Sequence, residues 1–134
     1  MGIKVSLFDT AADWMTVPLM HADYGGKAPE RVGMNHPSIA PYGGYETADK
    51  EVLAISIQNE REWHSLCENV LSKPQLALDS RFCNNNIRVE NRDELDIEIN
   101  KVFNNKTRSE MEPLLRAASI AYGALNSVDA LSTH

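Results

Sequence analysis

Basic residues are in short supply: 13 lysines and arginines stand against 19 aspartates and glutamates, a formal charge of −6 over 134 residues. A surface that neutralises phosphates needs a net basic face, so the balance argues against nucleic acid as a partner. It also makes this chain alone a poor home for a polyphosphate cofactor. Cysteine is scarce too. Cys67 and Cys83 are too few and too far apart for a zinc site or a disulfide framework, and Cys67 falls on the apolar face of an expected helix, as a buried, reduced thiol. No apolar run approaches the ~20 residues of a membrane span, and the N-terminus lacks the basic-then-apolar layout of a secretory signal. A cytoplasmic protein with no membrane partner is the expectation. His21, His36, His64 and His134 show no metal-ligand spacing, and there is no G-x-S-x-G or Walker pattern.

What is present is ordinary for a globular domain: 43% apolar and 24% charged residues, enough for a sizeable core. The order of elements can be read from period and punctuation. Ile3-Lys-Val5 reads as a strand, then Ser6 and Asp9 have the spacing of a weak capping box. Phe8, Ala11, Met15, Leu19 and Ala22 mark one face of a helix that Pro18 should kink and Gly25-Gly26 should end. Tyr42 to Thr47 and Val52 to Ile57 read as a hairpin across the polar turn 48–51, the second arm being a covered, central strand.

Three helices follow with their own start signals: Asn59 and Glu62, Asn91 and Glu94, Thr107 and Glu110. Behind them run the apolar stripes Trp63-Leu66-Cys67-Val70-Leu71, Leu95-Ile99-Val102-Phe103 and Met111-Leu114-Leu115-Ala118. Pro113, inside the third helix, has no evident reason to be there. Residues 73–82 and 84–86 read as an irregular connection. Arg81, Arg88 and Arg92 gather near it, where pairing with carboxylates or holding a loop is favoured over binding an anion. The fold class expected is α+β, a short antiparallel sheet (a hairpin) flanked by four to five helices.

One segment invites a functional reading: the stiff, turn-forming loop from His36 to Lys50, with two prolines and two adjacent glycines. Its candidate ligand-facing residues are His36, Ser38, Tyr42, Gly43, Gly44 and Tyr45. A structural loop with half-buried tyrosines and turn glycines is an equally good reading of the same residues.

Val5-Ser-Leu-Phe-Asp9, Asn35 to Asp49, the helix around Trp63 with Leu66-Cys67, Asp79-Ser-Arg-Phe82, Asn91-Arg-Asp-Glu-Leu95 and Asn126 to Leu131 together carry a resemblance. In these segments, taken in order over nearly the whole chain, the sequence resembles the family III CoA-transferases, the CaiB/BaiF family. That family includes formyl-CoA, carnitine and bile-acid CoA-transferases and α-methylacyl-CoA racemase.

The resemblance implies that the chain corresponds to the middle of a protein about three times longer. Residues 1–26 would be the strand and linker helix leaving a large CoA-binding domain, and 27–134 a small α+β domain cut at its C-terminus. The implied partners are that large domain or a second copy in a homodimer, with acyl-CoA as substrate and no cofactor bound by this chain alone. The family's chemistry uses an aspartate that takes the acyl group as a mixed anhydride; the resemblance places it upstream, so no catalytic residue is expected here. A glycine-containing loop closes over the intermediate in transferases of the family. Pro41-Tyr-Gly-Gly-Tyr45 stands in that neighbourhood without the long glycine run, and Ala121 to Leu125 replaces a Pro-x-Gly-Pro-Val pattern. The alternative is a stand-alone binding module that kept the fold and lost the enzyme.

Overall fold

A computed structural model of the chain describes residues 2–133. It divides into two compact units, Met1–Val32 and Gly33–His134.

In the first unit, Ser6 Oγ accepts the amide of Asp9 at 3.2 Å and opens helix α1, Leu7–Trp14. The single kinked helix expected from the apolar face is in fact two. Met15 ends α1, and α2, Thr16–Gly25, begins directly after it. Pro18 explains the break. It has no N–H for the carbonyl of Trp14, and its ring would crowd that carbonyl in a continuous helix. Restarting at Thr16 puts Pro18 in a first turn, where amides lack helical partners anyway. Gly26, at φ 75°, ends α2 with its amide on the carbonyl of Ala22. Ile3-Lys-Val5 forms no strand, since extended backbone needs a neighbour to pair with and none is supplied among the described residues. Neither helix buries a residue. Phe8, Ala11, Met15, Pro18 and Leu19 instead line an open groove of about 500 Å³ with Ala28 and Pro29.

The second unit is built on a three-stranded antiparallel sheet in the order β1-β2-β3. β1, Tyr42–Glu46, and β2, Val52–Ser56, form the expected hairpin, with Tyr42 opposite Ser56 and Glu46 opposite Val52. Its turn is closed by Lys50 at φ 65° and by Thr47, whose amide and hydroxyl both donate to the carbonyl of Glu51. β3, Ala121–Leu125, takes the other edge of β2, with Val52 opposite Leu125 and Ser56 opposite Ala121. β2 is therefore central, but it is covered unevenly: Leu53 and Ile55 are buried on one face, while on the other Ser56 is buried and Val52 and Ala54 are half-exposed.

α3, Glu60–Ser65, is capped as its sequence predicts, Asn59 Oδ1 accepting the amide of Glu62 at 3.0 Å. It continues as a π-helical turn, Leu66–Val70, which turns Leu66, Cys67 and Val70 inward. The connection holds more structure than its composition predicts: a 3₁₀ turn, Pro74–Leu78, and helix α4, Asn85–Glu90, capped by Asn84 on the amide of Ile87 at 3.0 Å. The cap expected at Asn91 is consequently absent. Asn91 ends α4 and turns its amide group to the carbonyls of Arg81 and Ile87, while α5 runs Arg92–Phe103.

α6, Arg108–Ala117, has the full capping box of Thr107 and Glu110. Pro113 is tolerated there because it faces solvent, as does Ser109, whose carbonyl lacks the proline's missing amide and can be hydrated instead. Trp63, Leu66, Phe82, Leu95, Ile99, Phe103, Met111 and Leu115 pack against Tyr45, Leu53, Ile55 and Ile57 in one fully buried core. This is an α+β fold, a short antiparallel sheet flanked by helices.

Candidate functional site

The segment before β1 runs along that strand's edge. The amide of His36 donates to the carbonyl of Tyr42 at 2.9 Å, and the two rings stack with centroids 5.2 Å apart and an interplanar angle of 22°. Ser38 closes the group: its amide donates to His36 Nδ1 at 3.2 Å, with its hydroxyl 3.4 Å from the same nitrogen. His36, Ser38 and Tyr42 thus form one surface cluster.

The other candidates are placed elsewhere. Gly43 and Gly44 are strand residues, and neither has the positive φ that a turn glycine would show. Their small size serves close approach instead. A Cβ on Gly43 would lie 2.0 Å from Asn35 Oδ1, and one on Gly44 would lie 2.8 Å from Met34 Cε. Tyr45 points into the core. Its ring packs on Phe103, and its hydroxyl donates to Asp96 Oδ1 at 2.7 Å. Burial and the Asp96 carboxylate push the Tyr45 phenol above its ordinary range, and burial likewise raises Asp96.

The sequence leaves the loop's supports almost unmarked. Asn85, Arg88 and Arg92 follow i, i+3, i+7 spacing across α4 and α5, and all three reach back to residues 36–40. Asn85 brackets the loop, accepting the amide of Ala40 at 3.1 Å and donating to the carbonyl of Ser38 at 2.9 Å. Arg92 Nη2 donates to the carbonyls of His36 and Ile39 at 2.7 and 2.9 Å. Arg88 is the anchor: Nε donates to the carbonyl of Ala40 at 2.8 Å and Nη1 to that of Phe82 at 3.0 Å.

The same guanidinium grips both oxygens of Glu60, at 2.8 and 2.9 Å, and lies 5.0 Å over the Trp63 ring. Hydrogen bonds from Arg88 hold the Glu60 carboxyl below its ordinary range. Arg81 is bound to Asp79 and Glu94. All three arginines therefore hold structure, as the more favoured reading of them expects. Cys67, beside this anchor, is pushed up to about 12 by burial, against a smaller opposing effect of Arg88.

The open face of the sheet adjoins this cluster through Tyr42. It is paved with small residues, Gly44, Ala54 and Gly123 lying in one row across the strands. Tyr42, Ala54, Ser56, Ala121 and Gly123 border a shallow recess of about 220 Å³ there.

A short antiparallel sheet flanked by helices occurs in known proteins. The model of CoA-transferase family III matches residues 1–134. This chain belongs to that family. It is 34% identical over 133 residues to an acyl-CoA transferase of Fusarium pseudograminearum, covering 98% of this chain and 28% of that one. It is 32% identical over 126 residues to the acetyl-CoA:oxalate CoA-transferase of Acetobacter aceti, covering 94% of this chain and 32% of the other. The crystal structure of a CaiB/BaiF family protein from Brucella suis superposes with a TM-score of 0.78 at 28% identity, over 96% of this chain and 34% of that one. The chain thus spans about a third of the length of the family III relatives it matches.

Proposed function

We propose that this chain acts as the small-domain portion of a family III CoA-transferase, forming a fixed wall over the acyl end of a CoA thioester. The transfer it serves moves CoA between an acyl-CoA and a free carboxylic acid. An aspartate carboxylate attacks the thioester carbonyl and expels CoA thiolate, leaving an aspartyl-acyl anhydride. The thiolate then attacks the aspartyl carbonyl, releasing the first acid and leaving an aspartyl-CoA thioester. The acceptor acid repeats the two steps in reverse. In this reading the aspartate, and most of the CoA-binding surface, belong to the large domain, and residues 1–134 alone do not turn over. The names of relatives that act on oxalate, glutarate and mesaconate favour a small dicarboxylic acid as acceptor.

The observation that carries the proposal is the loop's fixation. Residues 36–40 are pinned from three side chains, and they present a stacked His36–Tyr42 pair beside a sheet face paved with small residues. A pre-set wall excludes water from an anhydride without the ordering cost of a closing lid. The exposed apolar side chains of the first unit, among them Phe8, Trp14 and Tyr24, fit a surface that meets the large domain or a second copy.

A chimera tests this directly. Residues 1–134 replace the corresponding third of the Acetobacter aceti enzyme, and CoA exchange between acetyl-CoA and isotope-labelled oxalate is followed by mass spectrometry. Exchange by the chimera and none by the chain alone is the expected result. A folded chimera that binds CoA without exchanging it, or exchange by the chain alone, overturns the proposal.

A further inference from the structure

Four separate contacts hold His36, a residue outside the hydrophobic core. Its amide donates to Tyr42, its carbonyl accepts from Arg92, its ring lies on Tyr42, and its Nδ1 accepts the amide of Ser38. A neutral imidazole whose Nδ1 is an acceptor carries its proton on Nε2. That Nε2–H meets no acceptor among the described residues.

Arg92 is the least economical part of the arrangement. One terminal nitrogen binds the carbonyls of both His36 and Ile39, closing the turn between them. The other, Nη1, is shut off from solvent and has no hydrogen-bond partner among the described residues. A buried donor left unpaired is unfavourable, and so is the ordering of a half-buried imidazole that adds nothing to the core. Native structures retain such features chiefly where a site needs them.

We infer that Arg92 is a positioning residue, which fixes His36 as a neutral Nε2–H donor for an acyl oxygen of the ligand. Arg92 touches no ligand itself. It sets the turn that brings the amide of Ser38 onto Nδ1, and this selects the tautomer that presents Nε2–H outward. The identification of the acceptor as an acyl oxygen rests on the proposed function; the role of Arg92 does not.

The two parts are tested separately. In the full chain labelled uniformly with ¹⁵N, two-bond nitrogen–proton spectra of neutral His36 should show the Nε2–H form almost alone. Arg92→Ala should shift it towards a mixture of tautomers, and Arg92→Lys should restore part of the preference, with the amide signals of Leu53 and Ile55 reporting an intact sheet. Should Arg92→Ala unfold the sheet, Arg92→Lys decides, with a smaller change in the same direction expected. A tautomer mixture in the native chain, or an Arg92 substitution that leaves the native form unchanged, overturns the positioning role. In the chimera, His36→Phe keeps the stack on Tyr42 and removes the donor. It should raise the KM for acetyl-CoA on the order of tenfold, the loss of one hydrogen bond, with kcat held within about twofold. An unchanged KM overturns the acyl-oxygen assignment. A chimera inactive before any substitution counts against the proposed function, and the spectra of the full chain still decide the role of Arg92.

Discussion

Replacing Arg88 by methionine should remove about 3 kcal/mol of stability from the second unit. The side chain is 2% exposed, whereas its partner Glu60 is 50% exposed, so the two ends of the ion pair respond differently. Glu60 can turn to water, and losing its exposed half of the pair costs about 0–1 kcal/mol. The carbonyls of Ala40 and Phe82 cannot, because both residues are fully buried. Each left without its donor costs about 1–3 kcal/mol. The stack on Trp63 adds roughly 1 kcal/mol, and burying methionine in place of a guanidinium returns part of the total. Urea unfolding, followed by Trp63 fluorescence, reads the difference, since Trp14 is 84% exposed and changes little on unfolding. With an m-value of about 1–3 kcal/mol/M, the midpoint should fall by about 1–3 M with m unchanged. Arg88→Lys keeps the charge but cannot span two carbonyls and a carboxylate, and should recover no more than about half of the loss. A loss below ~1 kcal/mol for Arg88→Met, or full recovery by lysine, would refute the view that this residue anchors the loop.

Three further outcomes follow from the same structure. Gly43→Ala should destabilise by about 1–2 kcal/mol, because its Cβ meets Asn35 Oδ1 at 2.0 Å, whereas Gly123→Ala, with nothing within 4 Å, should be close to neutral; paired urea titrations compare them. Glu60 and Glu98 have folded-state pKa values lowered by their cationic partners, so their stabilisation is complete above the ordinary glutamate value of 4.5 and is lost as pH falls through the lower folded values. Thermal unfolding from pH 6 downward should show this fall, and a Glu60→Gln chain should show less of it. The first unit exposes Trp14, Leu7 and Phe8 by 80% or more, so sedimentation at rising concentration should show self-association that Phe8→Glu weakens; a monomer at every concentration contradicts it.

The helices of the second unit were legible wherever cap and apolar period agreed, as at Asn59 with Trp63 and at Thr107 with Met111. β3 was missed because Ala121-Tyr-Gly-Ala-Leu125 has neither β-branched residues nor a polar alternation; it is a strand through its pairing with β2 rather than its propensity. α4 was hidden in an asparagine run that reads as loop until one sees Asn84 capping it. Within the loop, His36, Ser38 and Tyr42 could be picked out by residue type. For the glycines the turn reading does not hold, since Gly43 and Gly44 lie in β1 and make room for Asn35 and Met34. The supports Asn85, Arg88 and Arg92 lie 45 or more residues from the carbonyls and amides they hold in the loop, and no local pattern reveals such pairs.

The claim at the centre of this account is a division of labour, with the acyl group carried elsewhere and only sheltered by residues 1–134. Intact-mass spectrometry after incubation with acetyl-CoA probes it most directly. The chain alone should keep its native mass, and the chimera should gain one hydroxylamine-labile adduct that peptide mapping places outside these residues. An acyl adduct on any side chain between Gly2 and Thr133 would contradict it.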